Sequence, residues 1–219
     1  MKKLLFPFLL FIALSSAAQK VKPNSSEFIQ ECMKNSGEVP NKKMVIWLPY
    51  NYWQIVGDLM KLSPERTQYM ANEMSNYMLF AVVDYTVAGT GLTFKSEEEI
   101  RKSIKLVDSS KVIYLPLDNK DLTPAANALV QNLQPVIAQM LGQFGEGMRI
   151  FVFNAKQVNG KPAIEIDKAN YFTLMWGGSK LKWTLPFASI LPPKFCPVDN
   201  EEMKGNWMYC PFHGEKLGH

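Results

Sequence analysis

Histidine and cysteine are the scarce residues of this 219-residue chain, with two of the first and three of the second. Both histidines, His213 and His219, lie near the C-terminal end. Everything before them therefore lacks a histidine general base, a Ser-His-Asp triad and a histidine-rich metal centre. The G-x-S-x-G, P-loop, G-x-G-x-x-G and H-E-x-x-H patterns are absent as well. Carboxylates and lysines are the only catalytic groups left in quantity, so the expectation leans away from an enzyme. Charge of either sign is not in excess: 24 Lys+Arg stand against 20 Asp+Glu, a formal +4. Apolar residues make up 47% and charged residues 20%, which excludes a disordered, collagen-like or coiled-coil chain.

Long apolar runs are missing too, except at the start. Lys2 and Lys3 precede Leu4–Leu14, and Ser15-Ser16-Ala17-Ala18 follow with small residues where a peptidase cuts. That run is shorter than the roughly 20 residues of a membrane span, and its order is that of a secretory signal peptide. Residues 1–18 are thus expected to direct export to a periplasmic or extracellular site. Their removal leaves a formal charge of +2. So small an excess predicts no nucleic-acid partner.

Residues 19–42 read as a polar leader with a short helix near Ser26–Lys34, and residues 43–192 as one α+β domain. Lys43–Leu48 and Leu79–Val87 are rich in β-branched and aromatic residues and predict strands. Shorter strands are expected at Leu92–Phe94, Lys105–Val107 and Lys111–Leu115. Pro49 opens a predicted helix toward Leu62, and Ser63-Pro64-Glu65 opens another that carries Met70, Met74 and Met78. Ser96, followed by three glutamates, caps a short helix. Thr123-Pro124 starts the longest, whose apolar stripe comprises Leu129, Val130, Leu133, Val136, Ile137, Met140, Leu141 and Phe144. After Met148 the period changes to two. Arg149–Asn154, Ala163–Asp167, Tyr171–Trp176 and Leu181–Leu185 then predict a meander of antiparallel hairpins. In the last of these, Leu181, Trp183 and Leu185 share one face, and Lys180, Lys182 and Thr184 the other.

Few side chains in this domain suggest a site. The run Trp47-Leu48-Pro49-Tyr50-Asn51-Tyr52-Trp53 concentrates aromatics. Helical spacing sends Trp53 to the core and leaves Tyr50 and Tyr52 as candidates for a ligand or partner surface. The Met70, Met74 and Met78 stripe suits core packing better than Cu(I) binding. Asp84, inside an apolar strand, is expected to satisfy itself by a strand-end hydrogen bond. Cys32 has no base to activate it and is expected to be buried as a small apolar residue.

Residues 193–219 are different in composition. Cys196, Asp199, Cys210 and His213 are spaced C-x2-D-x10-C-x2-H, each pair preceded by an aromatic and bracketing a proline. Two potential ligands three residues apart suit a tight turn that folds both onto one ion. Two such turns supply four donors, the number tetrahedral zinc takes. In an oxidising compartment a Cys196–Cys210 disulfide is the competing reading. The segment resembles a zinc ribbon, whose usual pattern is two Cys-Pro-x-Cys-Gly knuckles joined by a β-hairpin. Gly214 stands where that pattern has its turn glycine, and Asn200 replaces the other. Asp199 and His213 replace two of the four cysteines. The resemblance implies a structural zinc and says nothing of the preceding domain, which resembles exported bacterial proteins of unassigned function with the same tail. Four protein ligands close a zinc site to water. If Asp199 stays out, a Cys2His site with an open position results. The expected function is a non-catalytic binding or envelope-associated module that contacts a protein or an envelope component. The alternative is a metal-assisted or carboxylate-dependent hydrolase.

Overall fold

The computed structural model describes residues 25–49, 52–53, 57, 61–157 and 159–218. The expected signal segment 1–18 and Tyr50 lie outside the described residues. Helices combine with antiparallel sheets, so the α+β class holds. Helix α1 (Ser25–Cys32) runs directly into β1 (Met33–Ser36), and β2 (Asn41–Leu48), β3 (Tyr77–Ala88) and β4 (Gly91–Phe94) follow as consecutive antiparallel neighbours. This is the meander. The first helix is thus shorter than the sequence suggested, because the chain from Met33 to Ser36 pairs with Lys43–Ile46. A fifth strand, β7 (Arg149–Asn154), pairs along the first half of β3, Phe80 opposite Phe151. The second sheet has the order β6-β5-β8-β9, built from β5 (Lys105–Asp108), β6 (Ile113–Tyr114), β8 (Asn170–Trp176) and β9 (Ser179–Leu185).

The strands after Met148 therefore divide between two sheets. β7 belongs to the first sheet and β8-β9 to the second. The stretch expected as a strand at Ala163–Asp167 forms none; only an isolated bridge, Lys156 to Pro162, occurs beside it. Strands of period two bury every second residue, and here the buried sets of the two sheets meet. Trp47, Phe80 and Phe153 from the first sheet pack with Phe172 and Trp183 from the second. The Phe172 and Trp183 rings stack at 5.1 Å, and Trp47 meets Phe172 edge-on at 4.6 Å. Each such ring buries a large apolar area and favours an edge-on or offset neighbour, so the cluster fixes the spacing of the sheets.

The helices bury apolar residues of their own in the same core. Helix α2 (Pro64–Met74) starts where Ser63 Oγ accepts the Arg66 N–H at 3.3 Å, and ends at Ser75. Met78 consequently lies on β3, not on that helix, although Met74 and Met78 are both buried. A reciprocal Ser96–Glu99 capping box starts α3 (Glu97–Arg101). Helix α4 (Pro124–Met140) is capped by Thr123, whose own N–H donates to Tyr77 Oη on β3 at 3.1 Å. Its stripe is only partly covered. Ala126, Val130 and Ile137 are buried, whereas Met140 is 74% exposed and Val136 is exposed as well. The stripe is wider than the face it presents to the sheet.

Two buried carboxylates are satisfied within the protein, one by a distant residue and one by near neighbours in the chain. Asp84 accepts the Trp176 indole N–H at 3.0 Å from the opposite sheet and lies 3.8 Å from Lys43 Nζ and 3.9 Å from Lys95 Nζ. This is a mid-strand tie between sheets, where a strand-end bond had been expected. Asp108 accepts the Val112 N–H and the Tyr114 hydroxyl, at 2.9 and 3.0 Å. Burial, together with the Asp108 carboxylate, pushes the Tyr114 hydroxyl up to about 12. Glu31 on α1 accepts the Ala188 and Ser189 N–H groups and the Ser189 hydroxyl, capping the 3-10 turn Ala188–Ile190 that leads to the C-terminal segment.

Candidate metal centre

The C-terminal segment is two copies of one turn. In the first, β10 (Lys194–Phe195) pairs with β11 (Glu202–Met203), Phe195 opposite Glu202. In the second, Tyr209 bridges Lys216. Between those pairings each chain makes the same bonds at an offset of 14 residues. The Cys196 N–H donates to the Glu201 carbonyl at 2.9 Å, and the Cys210 N–H to the Glu215 carbonyl at 2.8 Å. The Cys196 carbonyl accepts from Asn200 and the Cys210 carbonyl from Gly214, at 2.9 and 2.8 Å. Asn200 and Gly214 both take the left-handed conformation, with φ of 60° and 72°. Glycine adopts this freely, and asparagine is among the few other residues that tolerate it. This explains why asparagine can replace the first turn glycine.

The geometry brings three donor side chains together. Cys196, Cys210 and His213 offer donor atoms that all lie within 4.8 Å of one another, close enough to hold a metal ion. The His213 Nδ1 is 3.3 Å from Cys196 Sγ and 3.6 Å from Cys210 Sγ. Asp199 stands at the edge of this group, its Oδ2 3.6 Å from His213 Nδ1 and its Oδ1 accepting the Glu201 N–H at 3.0 Å. The cysteines are not bonded to one another. Both sulfurs are almost fully shielded, by their own turns and by Met203 and Leu217, with Trp207 packed alongside.

The electrostatics divide the two thiols. Burial raises the Cys196 thiol, against the opposing Asp199 and Val198 N–H groups. At Cys210 burial is outweighed by the N–H groups of His213 and Phe212 and by the His213 ring, so the thiol is lowered. His213 is raised, chiefly by its bond to Cys210 and further by the Asp199 charge. Asp199 is lowered, first by the Glu201 N–H and next by the Cys196 thiol. Backbone N–H groups aimed at sulfur stabilise thiolate, the form that binds metal. The donor set of two sulfurs, one imidazole and an adjacent carboxylate is one that zinc accepts.

The tail also touches the domain. The Asn206 amide donates to the Pro186 carbonyl at 3.4 Å, and Lys204 pairs with Glu27 at 3.1 Å. Gly205 runs so close to Pro192 that a Cβ there would overlap its carbonyl oxygen.

Of the two tyrosines expected at a surface, Tyr50 lies outside the described residues and Tyr52 is not at a surface. Tyr52 is buried, edge-on to Trp53 at 5.9 Å, and burial together with the nearby Cys32 pushes its hydroxyl up to about 12. Its N–H donates to the Pro49 carbonyl at 2.8 Å. Cys32 is wholly buried, its thiol raised by that burial, in agreement with a packing role. The Asp84–Trp176 tie was missed by sequence reasoning; the strand's uninterrupted apolar character around one aspartate was its only signal.

Compared with known proteins, the chain matches no family model, no curated protein and no solved structure. No helix of the described residues is long and apolar enough to cross a membrane.

Proposed function

We propose that this chain is an exported, non-catalytic, envelope-associated binding module whose C-terminal turn pair holds one structural zinc ion. The observation that carries the reading is the convergence of Cys196, Cys210 and His213 within 4.8 Å, with Asp199 beside them. Cys196, Cys210 and His213 would bind the ion. Asp199, already facing His213, is the fourth donor and closes the site to water. Bound zinc would fold the tail by joining its two halves; the N–H groups beside each sulfur work against the cost of burying a thiolate, and at Cys210 they and the His213 ring outweigh it. Export rests on the Lys2-Lys3, Leu4–Leu14 and Ser15–Ala18 pattern.

The full chain, purified without reductant and dialysed against trace zinc, is expected to carry about one zinc per molecule by elemental analysis. Cys210→Ser should abolish it. Zinc near zero, with the Cys196 and Cys210 thiols unreactive until reduced, would establish the disulfide and overturn the reading.

A further inference from the structure

The outer face of the second sheet carries charge of one sign. On strands of period two, Leu106, Phe172, Leu174, Trp176, Leu181, Trp183 and Leu185 point into the core. Their neighbours Lys105, Val107, Tyr171, Thr173, Met175, Lys180 and Lys182 point out. The register sets Lys105 opposite Met175 and Met175 opposite Lys180, so one cross-strand row reads Lys-Met-Lys. The next row sets Val107 opposite Thr173 and Thr173 opposite Lys182. Lys111, in the turn before β6, reaches the same face and donates to the Tyr171 hydroxyl at 3.2 Å. No strand position on this face is Asp or Glu: Asp108 turns inward, and Glu165, which precedes β8, pairs with Lys168. Lys105, Lys111, Lys180 and Lys182 form no ion pair among the described residues. With strands about 4.8 Å apart, these ammonium groups span roughly a Debye length at physiological salt and act as one field.

Aliphatic side chains adjoin the lysines. Ile113 pairs with Val107 at the β6 edge and is 56% exposed, and Val112 and Leu115 flank it at 43% and 67%. The single aromatic ring on the face is not free to stack on a base. Lys182 Nζ sits 4.1 Å from the Tyr171 centroid, and Lys111 holds its hydroxyl. A single-strand nucleic-acid platform needs open rings. A flat face of lysines whose stems run beside exposed aliphatics has the chemistry of a surface that rests on anionic headgroups and lets a few methyl groups reach the acyl boundary.

We infer that the outer face of the β6-β5-β8-β9 sheet docks on an anionic lipid bilayer surface. The inference rests on the envelope-associated reading and names the partner of that module. Each lysine near such a surface adds its own attraction to the headgroups, so removing three should cost at least about tenfold in partitioning.

The test is co-sedimentation of the full chain with phosphatidylcholine vesicles and with vesicles that also contain phosphatidylglycerol. The readout is the ratio of the two partition coefficients, in which an apolar contribution common to both vesicles cancels. The wild-type ratio should be well above one and fall with added salt. It should drop at least about tenfold when Lys105→Gln, Lys180→Gln and Lys182→Gln are combined, and survive in the matching Lys→Arg triple. Circular dichroism on each variant separates loss of docking from loss of fold. An unchanged ratio in the folded Gln triple overturns the inference, as does an equal loss in the folded Arg triple. Retention of single-stranded DNA with no preference for anionic vesicles overturns it as well. Zinc is measured on the same samples. A zinc-loaded chain without vesicle preference refutes the lipid face alone, and vesicle preference without zinc refutes the tail reading alone.

Discussion

The body and the tail of this protein are held together by different means. The body buries a large aromatic cluster between two sheets, with Trp47, Phe80, Phe172 and Trp183 wholly or almost wholly shielded. The tail's own core is four side chains, Cys196, Met203, Cys210 and Leu217, and two of those are the candidate donors. A segment of this size does not bury enough apolar area to offset the entropy of ordering its backbone, and needs a staple. The body needs none. Where apolar area is abundant the sequence can place its polar groups freely; where it is scarce, the polar groups must themselves supply the cohesion.

The strongest way to test that contrast is to hollow the body. Trp183→Ala removes a ring in contact with Trp47, Phe80 and Phe172 and should lower the free energy of unfolding by about 3–5 kcal/mol in a denaturant titration. Zinc stoichiometry below the transition should not change. A parallel loss of zinc would show that the two regions are one cooperative unit. Next in size is the junction. Glu31→Gln weakens the carboxylate's bonds to Ala188 and Ser189, just before the tail, and should cost about 1–2 kcal/mol by the same titration. The smallest effect on the body is expected from chelation. Removing metal should shift the body's unfolding by less than about 0.5 kcal/mol, while the amides of Cys196, Asn200, Cys210 and Gly214 lose protection from hydrogen exchange. A large shift of the body on chelation would erase the distinction drawn above.

What the sequence revealed follows the same division. Local chemistry was legible. Ser63-Pro64, Ser96 with Glu99, Thr123-Pro124 and the Gly177-Gly178 hairpin all act within a few residues, and each starts or ends an element where expected. The grouping of Cys196, Cys210 and His213 was legible for the same reason, since each turn acts over three residues. Pairing at a distance was not. Alternation predicts that β7 is a strand but does not name β3 as its partner, and the Asp84–Trp176 bond joins residues 92 apart. The fate of Tyr52 was equally hidden, because an aromatic residue serves a surface or a core, and only the path of the corner after β2 decides between them. The Met70, Met74 and Met78 spacing misled in a narrower way. Helix α2 ends at Met74, and Met78 reached the core on a strand.

The equivalence of the two tail turns has a consequence of its own. Residues 194–203 and 208–217 share one pattern of backbone pairing, so the tail is a tandem repeat of a single turn. Asp199 and His213 occupy equivalent positions in it, as do Asn200 and Gly214, and Val198 and Phe212. The chain breaks that equivalence where the candidate donors lie: the first half offers the carboxylate of Asp199 and the second the imidazole of His213, so the two turns differ there in charge and in hardness.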